Sequence, residues 1–105
     1  MPRTKFYPRF KDQVLDLVAQ IPTGRVTTYG ALAEAVGASP RQAAAVMAND
    51  PDASRVPWHR VVAAGGRLTI PDPRHRAEQA RRLRREGVDV TDDRVQAFRR
   101  VFCVP

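Results

Sequence analysis

Chemistry is densest in the stretch Val56-Pro57-Trp58-His59-Arg60-Val61-Val62. His59 can exchange a proton near neutral pH. Arg60 is a permanent cation with a fork of donors, and Trp58 adds a flat apolar face with a single N–H. Pro57 fixes its own φ and pushes Val56 into an extended conformation, so Trp58 rides on a stiff backbone. Taken alone, the stretch reads as a core tryptophan at a helix–strand junction. A hydrolase built on His59 would need a nucleophile or a metal cluster, and neither is evident. Cys103 is the single cysteine. It stands near the C-terminus with no motif around it and reads as incidental or packed. It allows no intrachain disulfide and spells out no metal site.

The elements that must position these residues are mostly helical. Phe10, Val14, Leu17, Val18 and Ile21 recur at helical spacing and predict a helix from about Pro8 to Gln20, stopped by Pro22. Val26 to Thr28 is short and extended. A second helix is predicted over Tyr29–Val36, with Thr27 or Thr28 as N-cap and Gly37 as its stop. Ser39 then caps a third helix that starts at Pro40 and runs to about Ala48. Helix, glycine turn and helix together form a helix-turn-helix outline. The alanine row Ala43-Ala44-Ala45 lets the third helix approach either the core or a partner closely. Val61 to Ile70 predicts a β-hairpin turning at Gly65-Gly66, a wing in a DNA-binding context. Pro73–Glu86 predicts a last, strongly basic helix with Ala77, Ala80 and Leu83 inward and Gly87 as its stop. Its arginines, with pairs such as Glu78 and Arg82, fit a solvated face equally well. Met1 to Pro8 reads as a flexible arm. Val88, Val90, Val95, Phe98, Val101 and Phe102 follow without a clear element.

The chain has 105 residues, which fits one domain over residues 1–105. With 18 Lys and Arg against 11 Asp and Glu, its net charge is +7. That excess points to a polyanionic partner, nucleic acid before a membrane surface, although a plain basic surface would explain part of it. No apolar run approaches the roughly 18 residues of a membrane span. The basic start has no apolar core of a signal peptide. A cytoplasmic protein, nucleoid-associated when bound to DNA, is therefore expected.

Two segments carry a resemblance: Ile21-Pro22-Thr23-Gly24-Arg25-Val26-Thr27-Thr28-Tyr29-Gly30 and Pro57-Trp58-His59-Arg60-Val61. In order and spacing they resemble the O6-alkylguanine-DNA alkyltransferases, whose active-site motif reads Pro-Cys-His-Arg-Val. The resemblance runs from Phe10 to Val88. Trp58 stands where that family keeps its nucleophilic cysteine, which is the mark of the alkyltransferase-like proteins. An indole cannot become a thiolate, so alkyl transfer at this position is chemically excluded.

The resemblance implies roles for particular residues. Trp58, Val61, Tyr29 and Pro57 would form a pocket for a flipped O6-alkylguanine. His59 and Glu86 match the pair that polarises the thiol in the transferases. Without a thiol, a structural hydrogen bond is left for them, with Arg60 also bonded internally. Tyr29 would crowd the phosphate and rotate the nucleotide, and an arginine of the third helix would fill the gap in the base stack. Counted back from Trp58, that place falls on Arg41-Gln42; counted forward from Tyr29, it falls on Ala43. A deletion in the turn at Gly37-Ala38, where length changes are tolerated, keeps Arg41 as the finger. A deletion elsewhere leaves no finger. Ser39, Gln42, Ala43 and Ala44 complete the implied DNA face, in the minor groove. Where the family meets the O6 substituent with polar residues, this chain has Pro71 and Asp72.

The expected protein is thus mainly α, winged-helix-like, with a helix-turn-helix and a small β-hairpin. It would be a monomeric, non-enzymatic sensor of O6-alkylguanine in duplex DNA that needs no cofactor and no metal. It would flag the lesion for nucleotide excision repair proteins. The alternative is a helix-turn-helix regulator without lesion specificity.

Overall fold

A computed structural model describes residues 10–105; the predicted arm and the first two residues of the first predicted helix lie outside the described residues. Helix α1 spans Phe10–Ala19, strand β1 Thr27–Thr28, helix α2 Tyr29–Val36 and helix α3 Pro40–Asn49. Short 3₁₀ turns at Pro51–Arg55 and Trp58–Arg60 lead into strand β2, Val61–Val62. Helix α4 covers Pro73–Arg85, strands β3 and β4 cover Val90–Thr91 and Arg94–Val95, and helix α5 covers Phe98–Val101. The protein is mainly helical with a small antiparallel hairpin.

The helix-turn-helix is built by its caps. Thr28 Oγ1 accepts the Ala31 N–H at 3.0 Å and starts α2. Gly37 adopts φ +73°, a left-handed conformation that glycine enters without a Cβ penalty. The Ala38 N–H then closes on the Ala33 carbonyl at 2.8 Å, satisfying an end-of-helix acceptor. Two residues later Ser39 and Gln42 form a reciprocal capping box, with Pro40 at the first helical position. Stop and start chemistry so close together force the tight turn.

Two apolar clusters meet at a parallel strand pair. Val14, Val18 and Ile21 pack with Leu32, Ala33, Ala43 and Val61. Val26, Val62, Leu68, Ala80, Leu83, Val88, Val90 and Val95 form the other cluster. β1 and β2 pair with Thr27 opposite Val61 and Thr28 opposite Val62. Successive strand side chains point to opposite faces. Val61 therefore serves one cluster and Val62 the other. The tail closes over β1: Val26 N–H donates to the Val101 carbonyl at 2.8 Å and Cys103 N–H to the Val26 carbonyl at 2.7 Å.

The sequence placed the hairpin wrongly. Val61 and Val62 are buried on both faces and pair in parallel with β1, as suits an interior strand. Gly65-Gly66 makes a 3₁₀ turn between Ala63 and Arg67 and does not join two paired strands. Gly66, at φ +90°, lies against β4 and α5. A Cβ there would come within 3.1 Å of Val95 and Phe98. The antiparallel hairpin is β3–β4, with Val90 opposite Val95 and Thr91 opposite Arg94. Its two-residue turn, Asp92-Asp93, has φ of 51° and 57°, the double positive φ of a type I′ turn. A second correction concerns α4. Ala77 is exposed, and Gln79 is buried at 1% exposure beside Ala80 and Leu83.

Candidate nucleic-acid interface

The site begins with one turn of backbone. Pro57 has φ −73° and ψ 68°, and the Trp58 N–H donates to the Val56 carbonyl at 2.7 Å. This is an inverse γ-turn. A 3₁₀ turn follows at once, with Arg60 N–H on the Pro57 carbonyl at 3.0 Å. Side chains in a 3₁₀ turn leave the axis about a third of a revolution apart. Trp58, His59 and Arg60 therefore point in different directions from consecutive positions.

His59 and Arg60 point inward to one carboxylate. His59 Nε2 lies 2.8 Å from Glu86 Oε2. Arg60 donates from Nη2 to the same oxygen at 2.7 Å and from Nε to Oε1 at 3.0 Å. The Gly24 N–H adds a bond to Oε1 at 3.1 Å. Burial pushes the Glu86 carboxyl up, but bonds from Arg60, His59 and Gly24 outweigh it and bring its pKa to about 2. Arg60 also reaches the Ile21 carbonyl at 2.7 Å and Thr23 Oγ1 at 3.0 Å, tying the turn after α1 to the motif. Gln79 Nε2 binds the Val61 carbonyl at 2.8 Å and the His59 carbonyl at 3.3 Å. His59 Nδ1 is buried without a partner among the described residues.

Trp58 points the other way. Its indole is gripped from α4, with the His75 ring centroid 4.3 Å away at 57° and the Arg82 guanidinium 5.0 Å over the ring. The second contact has cation–π geometry. Trp58 forms one wall of an open cavity of about 930 Å³ between α3, the Pro51–Arg55 turn and the segment from Thr69 to Asp72. Tyr29, Arg41, Ala44, Ala45, Ala48 and His75 also line it. The Tyr29 phenol is half-buried, and burial pushes its pKa up, which keeps it neutral.

The residues singled out in the sequence divide. Tyr29, Trp58, Arg41 and Ala44 share the cavity, with Pro71 and Asp72 at its edge. Val61 is fully buried in the helical core and does not line the cavity. Pro57 shapes the turn from outside the lining. Ala43 is fully buried between the helices, while Ala44 and Ala45 face the cavity. Ser39 and Gln42 are exposed but spend their side chains on each other's backbone. His75 was missed. A signal existed, because His75, Gln79, Arg82 and Glu86 recur at i, i+4, i+7 and i+11, one stripe of a helix. That polar stripe is the face α4 turns to the Trp58–Arg60 turn.

Among the described residues no group of three or more His, Cys, Asp or Glu is arranged to hold a metal ion. No described helix is long and apolar enough to cross a membrane.

A helix-turn-helix whose second helix walls an aromatic cavity marks a DNA-binding domain. Residues 9–88 match the family described as 6-O-methylguanine DNA methyltransferase, DNA binding domain, and the chain belongs to that family. It is similar to the DNA base-flipping protein of Escherichia coli, at 39% identity over 84 residues, covering 78% of this chain and 64% of that protein. It is similar to alkyltransferase-like protein 1 of Schizosaccharomyces pombe, at 37% identity, covering 77% and 78% of the two chains. The structure resembles S. pombe Atl1 in complex with damaged DNA containing O6-carboxymethylguanine, with a TM-score of 0.81 at 31% identity, covering 91% of this chain and 95% of that one. Proteins named methylated-DNA–protein-cysteine methyltransferase are also similar, so the family holds enzymes and base-flipping proteins together.

Proposed function

We propose that this protein binds O6-alkylguanine in duplex DNA, flips the base into the Trp58 cavity and holds it there without removing the alkyl group. One observation carries the proposal: Trp58 occupies the nucleophile position on a cavity wall, with the His59–Glu86 pair intact behind it. Alkyl transfer needs a thiolate acceptor. Indole cannot supply one, and the Cys103 backbone is tied to Val26 beside β1, away from the cavity lining.

The binding cycle follows from energetics. Taking a base out of the stack costs a few kcal/mol, and less when damage has weakened its pairing. The net charge of +7 provides salt-dependent attraction to any duplex. Tyr29 crowds the backbone of the leaving nucleotide, and Arg41 fills the vacated place in the stack. Ala44, Ala45 and Ala48 let α3 come close to the groove floor, which fits minor-groove docking. The flipped guanine stacks on Trp58. The protein acts as a single-domain monomer without a cofactor, nucleoid-associated when bound. It presents the lesion to nucleotide excision repair proteins.

The test is incubation with a duplex carrying one O6-methylguanine. A tight complex should form, the protein's intact mass should stay unchanged, and the recovered DNA should still be methylated. A methyl group gained by the chain, or lost from the DNA, contradicts the reading.

A further inference from the structure

We propose that His75 reads the charge of the O6 substituent on the bound guanine, so that its protonation shifts preference toward lesions bearing an anionic group. The inference rests on the lesion-cavity reading above. His75 packs on Trp58 and lines the cavity. It makes no hydrogen bond or ion pair with any described residue. Its imidazole is therefore a donor group left open to the cavity.

The other charged groups nearby are committed or cannot switch. Arg41, across the cavity on α3, is a permanent cation. Asp50 is held by Lys11 at 3.2 Å and by the Asp52 N–H at 2.9 Å. Asp72 accepts the Arg74 N–H at 3.0 Å. On α4 itself, Arg76 pairs with Asp93, and Glu78 pairs with Arg81 and Arg82. Arg82 lies over the Trp58 ring. His59, in the turn below, faces Glu86. Pro71 has no donor side chain, and the Thr69 hydroxyl on the same segment is neutral. His75 is thus the cavity group whose charge changes across neutral pH. An imidazolium beside the substituent attracts a carboxylate and is indifferent to a neutral amide of the same size.

The experiment compares duplexes with O6-carboxymethylguanine, its neutral O6-carbamoylmethyl analogue and plain guanine, at constant ionic strength, near pH 6 and near pH 8. The carboxymethyl-to-carbamoylmethyl affinity ratio should rise about fivefold on going from about pH 8 to about pH 6. His75→Gln should make the ratio flat. His75→Lys, charged throughout this range, should hold it high at both values. Trp58 is the only tryptophan, so its fluorescence in the free protein reports protonation of the stacked ring. A quenching transition near neutral pH should disappear in His75→Gln, although the His59 ring lies 6.1 Å from the indole. A pH-independent ratio in the wild type, or a pH-dependent ratio that survives His75→Gln, overturns the proposal. If both lesions bind more tightly than guanine with a fixed ratio, only this inference fails. If neither does, the lesion-cavity reading fails and takes the inference with it.

Discussion

The two sides of the Trp58–Arg60 turn differ sharply. Behind it, Glu86 receives bonds from His59, Arg60 and Gly24. In front, Trp58, Tyr29, Arg41 and His75 surround an open cavity, and the contacts fixing Trp58 are a ring stack and a cation over its face. The back is a closed polar network and the front is a set of unsatisfied surfaces. Buried polar networks are stable when fully bonded. Binding sites keep aromatic and donor groups open. The pair that would activate a thiol has therefore become the support for a wall. The same hydrogen bonds hold the turn whether its first residue is a nucleophile or a stacking surface.

The largest effect is expected at the back. Glu86→Ala leaves Arg60 buried without its carboxylate and should cost about 3–5 kcal/mol of folding stability, read by urea unfolding. If Glu86→Ala is no less stable than Trp58→Ala, the contrast between the two sides is wrong. The same network sets the acid limit. Glu86 titrates at about 2 in the folded protein against its ordinary 4.5. Its contribution is complete above pH 4.5 and is lost as pH falls toward 2. The melting temperature should drop across that window, and the drop should shrink in Glu86→Gln.

The front should respond in binding more than in stability. Trp58→Ala is expected to weaken lesion binding at least tenfold, about 1.4 kcal/mol, measured by fluorescence anisotropy. Arg41→Ala should lower affinity about fivefold if the guanidinium takes the place of a stacked base. An unchanged affinity would assign the gap-filling role elsewhere. Glu78→Gln removes exposed pairs with Arg81 and Arg82. It should move the unfolding midpoint least, because exposed ion pairs are screened.

The sequence made the helix-turn-helix legible because its boundaries rest on local chemistry. Gly37, Ser39 and Pro40 act within a few residues of themselves. The hairpin was misread because Gly65-Gly66 looks like a hairpin turn, while the real one, Asp92-Asp93, lacks the usual glycine. Which strand Val61 would join is a long-range fact that alternation alone does not encode. Trp58, His59 and Glu86 stood out through family resemblance. His75 and Gln79 did not, because a polar stripe among arginines looks solvated. Its partner is polar as well, so no apolar periodicity marks the contact. Ala43 and Ala44 are chemically identical, and only the rotation of α3 sends one to the core and the other to the cavity.

The most direct test is the dissociation constant for two matched duplexes, one with a single O6-methylguanine and one with guanine, at the same near-physiological salt, for the wild type, Trp58→Ala and Tyr29→Ala. A lesion preference of about tenfold or more, reduced by both substitutions in proteins that still melt cooperatively, is the predicted result. Equal affinity for both duplexes would contradict the account and leave a general DNA-binding domain whose cavity reads no lesion.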